Sequence, residues 1–399
     1  MSLQGLTNLG EWIAWNPLLK KMEVHHGGSI IFEKGIVSEV SKKHYESTHF
    51  LDVQGRFVSP GFVDSHTHPA FAETRELEFE LRSQGKSYQE IAAAGGGIRN
   101  SVRKLRNYPE DQLVDCISSR FTQFLAHGTT TLECKSGYGL STESELKSLR
   151  AIQKASNQSP IQTKSTFLGA HEIPDEYRDN REKYIDLLIH EMLPLVKEQN
   201  LAEFCDVFCE DGVYTTSETQ QIFVAAKTLG FKLKLHADEF ASTGGAELAV
   251  EMGALSADHL MAISDRGIQK LSGSDTVATL LPGTTLFLGT HTYAPARKLL
   301  DNKVHVALAT DYNPGSSMIL SMPMILSLAV IYLHMKPLEA FQSSTIEGAR
   351  ALGISDKTGT IYPNFGADCV VWNAKNHRQI PYHIAQNLVK HTIVKGTIV

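Results

Sequence analysis

Short apolar runs alternate along this chain with longer segments whose apolar positions recur every three or four residues. Eight strand-like runs stand out, at 57–64, 129–134, 163–168, 204–208, 232–235, 255–257, 276–281 and 304–309. Helical patterns lie between most of them, for example at 143–155, 184–199, 217–229 and 244–252. This alternation predicts βα units and a parallel sheet. Eight such units are the number that an α/β fold of the (β/α)8 TIM-like barrel type requires. The two ends of the chain differ in style. Strand signals at 29–32 and 36–40 flank a turn at Glu33-Lys34-Gly35, and short β-branched runs return at 359–361, 368–372 and 391–394. Short sheets need partners, so the ends predict one small β-sandwich domain, 1–60 plus 350–399, beside a barrel over 61–349.

The residues that follow each run carry the chemistry. In order they are His66-Thr67-His68, Lys135-Ser136-Gly137-Tyr138-Gly139, Gly169-Ala170-His171, Cys209-Glu210-Asp211, His236-Ala237-Asp238-Glu239, Asp258-His259, Leu281-Pro282-Gly283, and Thr310-Asp311-Tyr312-Asn313-Pro314-Gly315. A polar residue ending a strand is usually a turn former. Recurring at every strand C-terminus, such residues converge on one rim of the barrel, where these folds keep their sites.

His66 and His68 are two apart in extended chain, so both imidazoles face one point. With His236 and Asp311 they form a ligand set of three imidazoles and one carboxylate, suited to Zn2+ or iron. A divalent ion there keeps a net positive site and can lower the pKa of bound water to about 7. Asp311 can also accept a proton, Glu239 is placed to shuttle one, and His259 can polarise a carbonyl. Which of Asp311, Glu239 and His259 is the general base stays open. His259 and His171 could each instead be structural histidines. The fourth run ends Val207-Phe208-Cys209-Glu210-Asp211. It lacks the lysine that two-metal relatives of this design carboxylate as a bridging ligand, so one metal ion per chain is expected.

Composition narrows the class. The formal charge is −6 with no basic run, which excludes nucleic acid as the main partner. Five scattered cysteines do not make a disulfide framework, and Cys205 and Cys209 are expected in the core. No signal peptide or membrane-length apolar stretch is evident. The apolar stretch 319–333 is too short to span and is expected to be broken by Pro323. A cytoplasmic protein is expected. Gly95-Gly96-Gly97 lacks the Lys-Ser/Thr of a phosphate loop and is expected to be a turn.

The motifs together resemble the metal-dependent amidohydrolases, and among them the imidazolonepropionase family, over nearly the whole chain. The specific pieces are Pro60-Gly61-Phe62-Val63-Asp64-Ser65-His66-Thr67-His68, Ala92-Ala93-Ala94-Gly95-Gly96-Gly97-Ile98, Lys135-Ser136-Gly137-Tyr138-Gly139-Leu140, Thr166-Phe167-Leu168-Gly169-Ala170-His171, His236-Ala237-Asp238-Glu239-Phe240, Ser256-Ala257-Asp258-His259-Leu260 and Asp311-Tyr312-Asn313-Pro314-Gly315-Ser316. The resemblance implies hydrolysis of 4-imidazolone-5-propanoate to N-formimidoyl-L-glutamate in histidine degradation, with one Zn2+ or Fe2+/Fe3+ per chain and a homodimer. It implies His66, His68, His236 and Asp311 as ligands, with Arg75, Tyr138, His171 and Glu239 on the substrate and Asn313, Gly315 and Ser316 lining the site. Two stretches depart from the family pattern. Glu73-Thr74 replaces a usual Gly-Asp before Arg75, and Tyr312 replaces an aliphatic residue. Arg75 is expected to bind the propionate with two parallel hydrogen bonds; the competing role is an ion pair with Glu76 or Glu78. Without the resemblance, the residues reach only a metal-dependent hydrolase of a small amide-like substrate. Another cyclic-amide hydrolase or a base deaminase fits that description too. A scaffold that has lost catalysis would lack the ligands that this chain keeps.

Overall fold

The computed structural model describes residues 3–86, 90 and 96–399; Ala92-Ala93-Ala94-Gly95 lies outside the described residues. Its central element is an eight-stranded sheet in sequence order, with every neighbouring pair parallel. The barrel strands, first to eighth, are Phe62–Asp64, Thr129–Lys135, Gln162–Ala170, Phe204–Cys209, Lys232–Ala237, Ser256–His259, Val277–Leu280 and Val306–Leu308. All eight expected runs are present. The last strand meets the first just past their C-terminal ends. There Asp311 N–H donates to His66 O at 3.0 Å and His68 N–H to Tyr312 O at 2.9 Å. The Asp64 carboxylate reinforces this seam, accepting from Thr310 N–H at 3.1 Å and Thr310 Oγ1 at 2.6 Å.

Two smaller sheets flank the barrel. One has four strands, Gly5–Thr7, Ser29–Glu33, Ile36–Ser41 and Phe50–Asp52. The other has six and takes strands from both ends of the chain: Val58–Pro60 lies between Glu11–Asn16 and Cys369–Trp372. Alternation along Cys369–Trp372 explains how the layers stack. Cys369 and Val371 face a core with Leu6, Ile30, Val37 and Ile393 between the two sheets. Val370 and Trp372 face the main core of the barrel, as the two-residue period of a strand demands. Trp372 packs edge-on against Phe62, with ring centroids 5.7 Å apart.

Local structure departs from the sequence reading at three places. The run 57–64 is not one strand but two, Val58–Pro60 in the six-stranded sheet and Phe62–Asp64 in the barrel. Gly61 is the joint, and a Cβ on it would lie 2.2 Å from Thr130 Oγ1. The helical pattern 184–199 is three successive segments, Arg181–Leu187, a π turn Leu188–Met192, and Leu193–Glu198. Pro323 does not interrupt its apolar stretch. It opens the helix Met322–Tyr332, where its missing N–H costs nothing. No helix among the described residues is long and apolar enough to cross a membrane. Gly97 forms the turn expected of it, with φ +73° at the start of helix Ile98–Asn107. Its N–H is held by Glu78 at 2.9 Å, so the loop offers a carboxylate where a phosphate loop would offer donors. Cys205 and Cys209 are buried in the core.

Candidate metal centre and active site

Strand geometry brings the expected ligands together. His66 and His68 follow the first strand, His236 lies in the fifth, and Asp311 follows the eighth; all four are buried. The Nδ1 of His66 is 2.6 Å from Asp258 Oδ2. A carboxylate only accepts, so Nδ1 carries the hydrogen and Nε2 presents a lone pair. That Nε2 lies 3.2 Å from His68 Nε2, and Asp311 Oδ1 lies 3.5 and 3.4 Å from the two nitrogens. Zinc–ligand bonds of about 2.0–2.2 Å imply tetrahedral donor–donor edges of about 3.3–3.6 Å. The observed spacings fit a transition-metal ion at the centre of this face. His66 forms a second such group with His236 and His259. Burial, and then neighbouring cations and imidazoles, push the pKa values of His66 and His68 well below the histidine range, so both are neutral as ligation requires.

The other candidates surround this cluster. His259 has its ring centroid 5.4 Å from that of His66, and burial pushes its pKa down to about 3. Its Nδ1 is 3.6 Å from Glu239 Oε1. Burial first, then the charges of Asp311 and Glu210, hold the Glu239 carboxyl well above the usual range. His171 stacks on His68 with centroids 5.3 Å apart, and Tyr138 lies 5.4 Å from His171. Thr284 donates to Asp311 Oδ2 at 2.6 Å, which leaves Oδ1 toward the imidazoles. Asn313 Oδ1 accepts from the N–H groups of Gly315 and Ser316, each at 2.8 Å.

Arg75 meets the site through this last loop. A Cβ on Gly315 would lie 2.6 Å from Arg75 Nη1. The same guanidinium makes the ion pair that the sequence left open, to Glu78 at 2.8 Å from Nε and 2.7 Å from Nη2. Glu73, in the departing stretch before Arg75, is drawn outward to Lys104 at 2.5 Å. Tyr312, the other departure, packs against Phe124 with ring centroids 5.3 Å apart.

Beneath the ligands lies a layer of buried charge: the strand ends named Lys135 and Asp258 but not their burial, nor their partners Asp206 and Lys234. Lys135 is fully buried, 2.8 Å from Glu133 and 2.7 Å from Asp206. Lys234, also fully buried, donates to Ser65 O at 2.8 Å and lies 3.5 Å from Asp258. Two of these contacts, Lys135 to Asp206 and Lys234 to Ser65 O, cross between non-neighbouring strands, so the side chains fill the barrel interior. Asp206 in turn lies 3.0 Å from His236 Nδ1, as Asp258 does beside His66. Burial pulls the Lys135 pKa down, but Asp206, Glu133 and Asp258 outweigh it and the net shift is upward. The one signal available in the sequence was the period-two pattern Lys232-Leu233-Lys234-Leu235-His236.

Comparison with known proteins assigns the family. The amidohydrolase family profile matches residues 57–399. The imidazolonepropionase of Clostridium tetani is 43% identical over 388 residues, covering 96% of this chain and 92% of that protein. That of Symbiobacterium thermophilum is 46% identical over 353 residues, covering 88% and 83%. The chain belongs to the imidazolonepropionase family of amidohydrolases. More distant structures share the fold alone. Guanine deaminase of E. coli superposes with a TM-score of 0.74 at 18% identity, covering 99% of both chains. An adenosine deaminase from Xanthomonas campestris with bound zinc gives 0.70 at 16% identity, covering 98% of this chain and 92% of that one. The imidazolonepropionase likeness spans the metal cluster, Arg75 and the Asn313–Ser316 loop, since it covers almost the entire chain.

Proposed function

We infer that this protein hydrolyses 4-imidazolone-5-propanoate to N-formimidoyl-L-glutamate. The observation that carries the choice of substrate is the 43% identity to an imidazolonepropionase over 96% of the chain. The cluster of His66, His68, His236 and Asp311 supports one Zn2+ or iron ion per chain. Bound there, the ion supplies Lewis acidity and a water acidic enough to give hydroxide near pH 7. Lys135 supports a single ion, since an amine held as ammonium by two carboxylates cannot serve as a carboxylated bridge.

The chain's own residues then divide the work. Opening the ring forms a C–O bond, breaks the C–N bond and moves a proton from water to the leaving nitrogen. Glu239, whose carboxyl is pushed upward by burial and by the charges of Asp311 and Glu210, is the proposed shuttle. His259, a neutral imidazole, is proposed to hold the carbonyl oxygen. Tyr138 and His171 are proposed to flank the ring. Arg75, with Asn313, Gly315 and Ser316 beside it, is proposed to receive the propionate carboxylate. We also propose a cytoplasmic homodimer, with 1–60 and 350–399 forming one β unit and 61–349 the barrel; sedimentation of the purified protein tests the dimer.

The deciding experiment follows the ring absorbance of imidazolonepropionate with purified protein and assays ammonia in parallel. Decay of the absorbance without ammonia release is expected. Inertness toward this substrate, with ammonia released from a nucleobase, would favour a deaminase instead.

A further inference from the structure

The loop after the second barrel strand runs between two charged side chains that the proposed chemistry does not use. Glu145, in the first turn of helix Thr142–Gln158, is fully buried. Its Oε1 accepts from the N–H groups of Gly139 at 2.8 Å and Leu140 at 2.9 Å, and its Oε2 from Gly137 at 3.0 Å. On the carbonyl side, Arg106 donates from Nε to Gly139 O at 2.8 Å and from Nη2 to Leu140 O at 2.9 Å. A buried carboxylate is costly unless its lone pairs are satisfied. Three backbone donors satisfy this one, so its burial is coupled to one loop conformation.

That conformation is demanding. Gly137 has φ +109° and Leu140 φ +50°. A Cβ on Gly139 would lie 2.6 Å from the Ser144 carbonyl carbon. Tyr138 stands between two of the clamped N–H groups. The Gly137 carbonyl, in the same clamped segment, lies 2.9 Å from His171 Nδ1. A carbonyl only accepts, so Nδ1 carries the hydrogen and Nε2 is left as an acceptor toward the site.

We infer that Glu145, with Arg106 on the opposite side of the loop, is the positioning residue that fixes Tyr138 and the His171 tautomer against the substrate. This rests on the proposed contact of Tyr138 and His171 with the substrate. Glu145→Gln keeps the shape but sets an amide NH2 where an acceptor is needed.

The test uses the full-length, metal-loaded protein. Glu145→Gln and Arg106→Ala are compared with wild type, and Glu145→Gln is also combined with Tyr138→Phe plus His171→Ala. Faster amide hydrogen exchange over 137–140 is expected. So is a fall in kcat/KM of about 10–100-fold for Glu145→Gln, the scale that a misplacement of about 1 Å brings, with metal content unchanged. In the Tyr138→Phe, His171→Ala background, Glu145→Gln should cost little more, because coupled residues are not additive. Faster exchange with wild-type kcat/KM would reduce the clamp to a structural role and overturn the inference. Unchanged exchange would overturn the clamp itself. If Tyr138→Phe and His171→Ala alone leave kinetics at wild type, the substrate contacts are wrong and the inference falls with them. Should Glu145→Gln not fold, Arg106→Ala decides by the same readouts, since its side chain is 28% exposed.

Discussion

Asp311 sits at φ +52°, a left-handed conformation that Asp and Asn tolerate better than most residues. Asp311→Asn therefore keeps the backbone and changes only charge and ligation. We expect a folded protein by circular dichroism, with reduced metal content and reduced kcat. Glu239→Gln is expected to keep its metal and lose about 10²–10⁴-fold in kcat; wild-type turnover in that variant would remove Glu239 from proton transfer. Arg75 makes a paired prediction with Gly315. Truncating one partner of a buried charged hydrogen bond costs roughly 2–5 kcal/mol. Arg75→Ala should thus lower kcat/KM by about 30-fold to several thousandfold. Gly315→Ala drives a methyl group to within 2.6 Å of Arg75 Nη1, the movable end of a long side chain. It should displace the guanidinium and reproduce much of the kinetic loss with little change in Tm. An uncharged amide analogue of the propionate separates the readings, since wild type should discriminate against it and Arg75→Ala should not. The residues in these predictions were legible because they follow strand ends, where polar side chains in a barrel converge. Asp206 and Lys234 escaped notice, and Lys135 and Asp258 were given no role, because they lie within or at the very end of strands. Only the closed barrel turns one face of those strands into a buried interior.

At the scale of elements, the apolar runs located every barrel strand, since strands covered on both sides read as continuous hydrophobic stretches. What they could not show is which sheet a run joins. The residues 57–64 look uniform, yet Val58–Pro60 pairs with Cys369–Trp372 from the far end of the chain, and Phe62–Asp64 pairs with Thr129–Lys135. The physical cause is the joint. Gly61 lies so close to Thr130 that no side chain fits, and it lets the chain pass from one sheet to the other. Gly61→Ala should then destabilise by about 1–3 kcal/mol, the usual cost of overpacking a filled core. The loss should appear as a lower Tm, with kcat per folded molecule unchanged, because the side chain that a Cβ would strike, Thr130, is not one of the site residues. A Tm equal to wild type would mean that Thr130 gives way at no cost. The π turn Leu188–Met192 was not legible either, because a helical period survives one wide turn with little change in the apolar pattern.

At the scale of the whole molecule, the candidate ligands come from the first, fifth and eighth barrel strands and from the segments just past them. The first and eighth meet at the seam, where few bonds close the barrel: Asp311 N–H to His66 O, His68 N–H to Tyr312 O, and Thr310 to the Asp64 carboxylate. A cation held by His66, His68, His236 and Asp311 would tie this seam to the fifth strand across the barrel. A ligand that binds only the folded state stabilises it by about 4 kcal/mol at a thousandfold excess over Kd. Removing the metal with a chelator should therefore lower Tm by several degrees, and restoring zinc or iron should recover it. The loss should also be local. Amide exchange should rise first at His68 and Asp311, the two seam donors, and less at the sixth and seventh strands, which supply no ligand. Metal analysis of the reloaded protein should give one ion per chain. Equal melting of the stripped and reloaded forms, with exchange unchanged at the seam, would show that the ion takes no part in closing the barrel. The seam would then rest on its two backbone bonds and the Asp64–Thr310 pair, and Asp64→Ala should loosen it whether or not metal is present.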